Sequence, residues 1–184
     1  MARSSTALHE QLLAAALRLF VQHGFRGTSL ADIAAEVGCS KASLLYHFSN
    51  KEAILGELLL PVGKEMVALD ARLADLEGDA AVRAGITGLV DLTVRFRQEI
   101  KVLFDNMADA TALREADMEG LDGVGHRLVG VLAGGSSDPF DRVAATMALG
   151  GMFLTGGGQL EMDEETLREA MTISALRTLG RTPG

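Results

Sequence analysis

Between Ser29 and Phe48 the sequence carries two helical patterns with almost nothing between them. Leu30, Ile33, Ala34 and Val37 recur at i, i+3, i+4 and i+7, which makes one sharp apolar face on a helix. Gly38 closes that helix, because glycine adopts at little cost the left-handed conformation in which helices commonly end. After Cys39 alone, Ser40 is in place to cap a second helix from Lys41 to about Tyr46. Leu44 and Phe48, four apart, reach back to a core while Lys41, Ala42, Ser43, Leu45 and Tyr46 stay more exposed. Two short helices joined by a tight glycine-containing turn form a helix-turn-helix.

The flanking sequence supplies the rest of a small helical domain. A first helix is expected from about Thr6 to His23, with Leu12, Ala16, Leu19 and Phe20 on one face, Ser4, Ser5 or Thr6 as its cap, and Gly24 as its end. Ser29 with Asp32 three residues on reads as a short-armed capping box. Ser49 with Glu52 reads as the cap of a fourth helix starting near Asn50. Pro61 lies inside that helix, where proline costs roughly 3 kcal/mol. Either the helix stops there or it is kinked, and the pattern from Val62 to Leu76 favours the kink.

Further helices are expected near 80–97, 99–106, 110–133, 138–156 and 164–179, with Pro139 in a first turn and Asp163 as the last cap. The fold class is all-α with about nine helices. β-branched residues never alternate over a long run, and the chain has no Trp, one Tyr and three Pro.

Composition removes several function classes. No apolar run of 18 residues is free of charge or turn formers, so no membrane span is expected, and the N-terminus reads as an amphipathic helix instead of a signal peptide. A cytoplasmic location follows as an expectation. The single cysteine, Cys39, excludes an intramolecular disulfide and reads as a small buried residue of the turn, a redox role being the sharper alternative. His9, His23, His47 and His126 show no metal-ligand spacing, so no metal or cofactor is expected. Nucleophile–base sets and clustered carboxylates are missing in any plausible context, which speaks against an enzyme. The glycines at 150–151 and 156–158 lack both the Lys-Ser/Thr of a P-loop and a strand–helix context; they read as a flexible helix end.

The net charge of −8 argues against a nucleic-acid partner until its distribution is considered. Residues 1–52 carry five basic and four acidic side chains, whereas the other 132 residues carry 12 and 21. Only the first part is tolerable near phosphates. A recognition helix entering a major groove about 12 Å wide favours short outer side chains near its start. Ser40, Ala42 and Ser43 meet that demand, and Lys41 can reach a guanine edge or a phosphate. His47 and Lys51 flank the groove and can donate to phosphates. Backbone amides near Thr28–Ser29 and Asn50–Lys51 are ready anion sites.

The motif order is specific: Phe20-x-x-x-Gly24-Phe25, then Thr28-Ser29-Leu30-x-Asp32-Ile33-Ala34, then Gly38-x-Ser40, then Leu44-x-Tyr46-His47-Phe48 and Lys51-Glu52. Together these resemble the N-terminal domain of the tetracycline-repressor (TetR) family of bacterial regulators, over about Thr6 to Met66. The resemblance implies phosphate contacts from Thr28, His47 and Lys51, and base or backbone contacts from Lys41, Ala42, Ser43 and Tyr46. One position departs: the family often has an aromatic, usually Tyr, where this chain has Leu45. Leucine cannot hydrogen-bond a phosphate, though it can touch a thymine methyl.

The resemblance also implies a domain at 6–66, with the motif at 29–48, followed at 67–184 by a helical effector-binding and dimerisation domain. Met66, Phe96, Phe104, Met107, Met118 and Met147 are candidate pocket residues, although methionine fills cores just as readily. Ala144, Met147, Ala148 and Gly151, with Leu167, Met171, Ser174 and Leu179 on the last helix, are candidate dimer contacts. The expected partners are an operator duplex, a second copy of the chain, and a small apolar or amphipathic effector that releases a repressor. Two alternatives stay open: a DNA-binding regulator controlled without a small molecule, or an activator; and a helical small-molecule-binding module whose DNA binding is vestigial.

Overall fold

The structure is a computed structural model that describes residues 2–105, 123–158 and 160–182, with side chains from Thr6 onward. Among these residues there are nine helices and no strand: α1 Ala2–Gly27, α2 Leu30–Val37, α3 Lys41–His47, α4 Lys51–Leu73, α5 Gly78–Arg95, α6 Arg97–Asp105, α7 Val124–Leu132, α8 Pro139–Gly157 and α9 Glu164–Thr178. The chain divides into two compact units, one of Met1–Pro61 with Lys101–Met118 and one of Val62–Ile100 with Glu119–Gly184.

The first unit is organised by the faces that its sequence marks. Leu12, Ala16 and Phe20 of α1, Ile33 of α2, Leu44 and Phe48 of the α3 segment, and Ile54, Leu55 and Leu59 of α4 are all buried, with Val102 among them. Phe20 meets Phe25 edge-on at 5.1 Å between centroids. Burying side chains of this size contributes about 1.5–3 kcal/mol each, which is what lets α2 and α3, far too short to persist alone, hold their shape. Gly24, at φ 75°, breaks the helical path of α1 as expected. Gly38 ends α2 at φ 75°, and the Cys39 amide donates to the Ala34 carbonyl at 2.9 Å.

Three local expectations need correction. α1 is already helical at Ala2, so Ser4, Ser5 and Thr6 lie inside it and none of them caps it. The cap of α4 is Asn50, whose side chain accepts from the Ala53 amide at 2.7 Å; α4 starts at Lys51, which leaves Ser49 one residue too early. The helix expected over 110–133 does not run through Gly123, which sits at φ 77°, and α7 begins at Val124; residues 110–122 lie outside the described residues. Pro61 ends no helix: α4 continues through it to Leu73.

In the second unit α5 is the central element and packs against α7, α8 and α9. Its buried Thr93 donates to the Leu89 carbonyl at 2.8 Å. Directly opposite lies Gly156 of α8, where an added Cβ would stand 2.6 Å from the Thr93 Cβ. That glycine lies in the last turn of α8, as expected, and is also a close-approach residue. Asp138 caps α8 with Pro139 behind it, and Asp163 caps α9. Hydrogen bonds from the amide and hydroxyl of Thr166 hold the Asp163 carboxyl below its ordinary range.

Candidate nucleic-acid interface

Two caps and a buried seam set the geometry of α3. The Ser40 side chain accepts from the Ser43 amide at 3.0 Å. Ser29 accepts from the Asp32 amide at 3.2 Å, and its own amide donates to Asp32 at 2.8 Å, a closed capping box on α2. Hydrogen bonds from the Ser29 hydroxyl and the Ser29 amide hold the Asp32 carboxyl below its ordinary range. Leu44 is fully buried and Phe48 is 3% exposed, so the opposite face of α3 turns to solvent. Tyr46 is 84% and Leu45 44% exposed. Lys41 and Ala42 are exposed, and Ser43 is half-buried.

The far end of α3 is held by an aromatic cluster. His9 of α1 stacks on Phe48, with centroids 4.6 Å apart, and meets His47 edge-on at 5.6 Å. Its Nε2 is within hydrogen-bonding distance of Glu57 on α4. Tyr46 in turn meets the His47 ring edge-on at 5.4 Å. The position of His9 three residues before Leu12, one helical turn from the core face, is the sequence signal for this role.

Two expected contact residues face inward. Thr28 is 2% exposed, and its hydroxyl donates to the carbonyls of Gly24 at 2.9 Å and Leu19 at 3.2 Å. Lys51 is half-buried, with its ammonium donating to the carbonyls of Phe25 and Thr28 and lying 4.3 Å from the Phe25 ring centroid. Both residues lock the loop between α1 and α2, the platform on which α2 and α3 stand. Cys39 is half-buried in the turn. No group of three or more metal-binding side chains occurs among the described residues.

In the second unit, Met147 and Gly151 are exposed on α8 and Ser174 on α9, while Ala148, Leu167 and Met171 are buried between these two helices. All six line one groove of about 260 Å³ along the pair. Ala144 and Leu179 line a neighbouring hollow with Phe140. Phe140, Val143 and Leu154, not singled out in the sequence, extend the exposed face of α8 with exposures of 83%, 57% and 61%. Their spacing of three, four and seven residues around Met147 was readable as a stripe, but not as an uncovered one.

A second open groove of about 510 Å³ lies between α5 and α9, floored by Ile86, Val90, Ile173 and Leu176. Met66 and Phe96 of the second unit and Phe104 of the first are half-buried and line neither groove. Met107 and Met118 lie outside the described residues. His126 is exposed. No helix among the described residues is long and apolar enough to cross a membrane.

Comparison with known proteins agrees with this geometry. Residues 12–58 match the model of the family described as bacterial regulatory proteins, tetR family. A stretch of 103 residues is 36% identical to the HTH-type transcriptional regulator RutR of Escherichia coli (strain K12), covering 56% of this chain and 44% of RutR. The chain thus spans less than half the length of that relative. Among solved structures, PfmR, a TetR family transcriptional regulator from Thermus thermophilus, superposes with a TM-score of 0.71 at 21% identity, covering 94% of this chain and 99% of that one. AibR, in complex with isovaleryl coenzyme A and operator DNA, gives 0.67 at 21% identity, covering 91% and 97%. Fold, motif and matched residues agree: over residues 12–58 this chain is similar to the tetR family of bacterial regulatory proteins.

Proposed function

We propose that the chain is a homodimeric, sequence-specific transcriptional regulator of the cytoplasm, released from a near-palindromic operator by a small apolar or amphipathic effector. The observation that carries the reading is α3: a short helix pinned on one side by Leu44 and Phe48, with Lys41, Ala42, Ser43, Leu45 and Tyr46 presented on the other. Two such helices about 34–36 Å apart would meet successive major grooves. Lys41 and His47 are the phosphate donors of this reading, while Thr28 and Lys51 act mainly by holding the platform. Ser29 and Ser40 act through their caps.

The second copy is read onto the stripe Phe140, Val143, Met147 and Leu154 with the adjoining α8–α9 groove, because contiguous exposed apolar surface marks association sites. Effector binding is supported by the α5–α9 groove, whose volume falls in the range of small-molecule sites. AibR, whose structure holds both isovaleryl coenzyme A and operator DNA, is a precedent in the same fold. Control by a partner protein is the second reading, favoured by the open form of both grooves.

Selection of bound duplexes from a random pool by the full chain tests the proposal. Lys41→Ala and Tyr46→Ala proteins should fold and dimerise but lose affinity for the selected sites. Affinity should also fall steeply with added salt, because phosphate contacts release counterions. Met147→Glu should give monomers in sedimentation and lose operator affinity. Full-strength binding by both α3 variants, or a flat salt response, would sink the assignment.

A further inference from the structure

We infer that α3 selects its operator through the 5-methyl groups of pyrimidines, thymine above all, with Leu45 and Ala42 as specificity-determining residues; this rests on the DNA-binding reading above. At 3.6 residues per turn, the residue diametrically opposite the Leu44–Phe48 seam is Tyr46, in keeping with its 84% exposure. Ala42 and Leu45 lie four and one residues before it, so Ala42 neighbours both along the helix surface. Beside the phenol of Tyr46, the outer face therefore carries two side chains without polar groups, with Lys41 and Ser43 at its start.

That pattern restricts what can be read. Every base pair presents hydrogen-bond donors or acceptors in the major groove, but the only apolar group an unmodified duplex offers there is the thymine methyl. Leu45 and Ala42 carry no side-chain donor or acceptor, so they discriminate between bases only through that methyl. Leu45 is also left 44% exposed by the fold, so its apolar surface is still available to be covered. Isolated exposed leucines are ordinary; a leucine beside an alanine on the face opposite a buried helix seam is a more specific arrangement.

The test starts from duplexes selected by the full chain and replaces each thymine in turn by deoxyuridine, which removes only the methyl. Anisotropy titrations at one salt concentration then give the change in affinity. At one or two positions per half-site the wild-type chain should bind about fourfold more weakly, the factor that goes with burying one methylene-sized group. Leu45→Ala and Leu45→Gln should bind the thymine duplex more weakly and lose that sensitivity, with unfolding curves like the wild type. A second pool containing 5-methylcytosine separates the two bearers of the methyl: enrichment of the modified base would assign the contact to methylated C·G pairs as well. Indifference to deoxyuridine at every position overturns the inference, as does an undiminished deoxyuridine penalty in both variants. Failure to select any duplex would instead overturn the DNA-binding reading itself, and this inference with it.

Discussion

Lys51→Met separates the two roles that the family pattern and the fold give to one lysine. The substitution keeps most of the apolar stem and removes the ammonium, which in the folded chain donates to the carbonyls of Phe25 and Thr28. Phe25 and Thr28 are 4% and 2% exposed, so two enclosed carbonyl groups lose a charged donor. Each such loss costs about 1–3 kcal/mol, and the cation–π contact with Phe25 adds about 0.5–1 kcal/mol. Because Lys51 is only half-buried, water restores part of this, and a net loss of about 2–4 kcal/mol is expected. Urea unfolding of the full chain measures it, followed by the fluorescence of Tyr46, the one tyrosine in a chain without tryptophan. That signal reports the N-terminal unit alone, and its midpoint should fall by roughly 1–2 M. Under conditions where the variant is folded, the salt dependence of DNA binding should keep its slope. Removing a direct phosphate contact would instead reduce the slope by about one. A variant as stable as the wild type, with a shallower salt slope, would refute the structural role.

Three further outcomes are expected. Gly156→Ala should destabilise the chain by up to about 2 kcal/mol in thermal unfolding, since an overpacking cost against Thr93 of about 1–3 kcal/mol is set against a helix-propensity gain of about 1 kcal/mol; a stabilised variant would mean that α5 and α8 can part freely. His9→Ala should lower operator affinity roughly two- to tenfold without changing the oligomeric state, because an aromatic contact of about 0.5–1.5 kcal/mol holds the end of α3; unchanged affinity would remove His9 from the site. Asp163 has a folded pKa below its ordinary value of 3.8, so its carboxylate stabilises the fold above that value and the contribution is lost as pH falls through the lowered folded pKa. Melting temperatures of Asp163→Asn and wild type should therefore differ at neutral pH and converge as pH falls below about 4; a constant gap down to about pH 2 would contradict the assignment.

What the sequence determined by itself is mostly local. The Ser29–Asp32 box, the Ser40 cap, the Gly24 and Gly38 breaks, the first-turn Pro139 and the Asp163 cap depend on atoms within a few residues, where side-chain chemistry and backbone conformation are directly coupled. The helix-turn-helix was legible for that reason, together with the inward Leu44 and Phe48 and the outward Tyr46. The cap at Asn50 was missed within the same local range, because Ser49 and Asn50 are both competent caps and the choice depends on where α4 begins.

Tertiary packing decided the rest. Thr28 and Lys51 carry polar groups suited equally to phosphate and to carbonyl groups; only the placement of the loop between α1 and α2 assigns them inward partners. Gly156 does sit in the last turn of α8, but its close approach to Thr93 depends on α5, a distant segment of the chain. Phe140, Val143, Met147 and Leu154 have the spacing of a core stripe, and sequence periodicity marks a helical face without saying whether another helix covers it. In the folded chain those side chains stay exposed. Short-range hydrogen bonds made the motif between Ser29 and Phe48 readable in advance, whereas the partner of each buried or uncovered surface depends on contacts between distant segments, which no local pattern encodes.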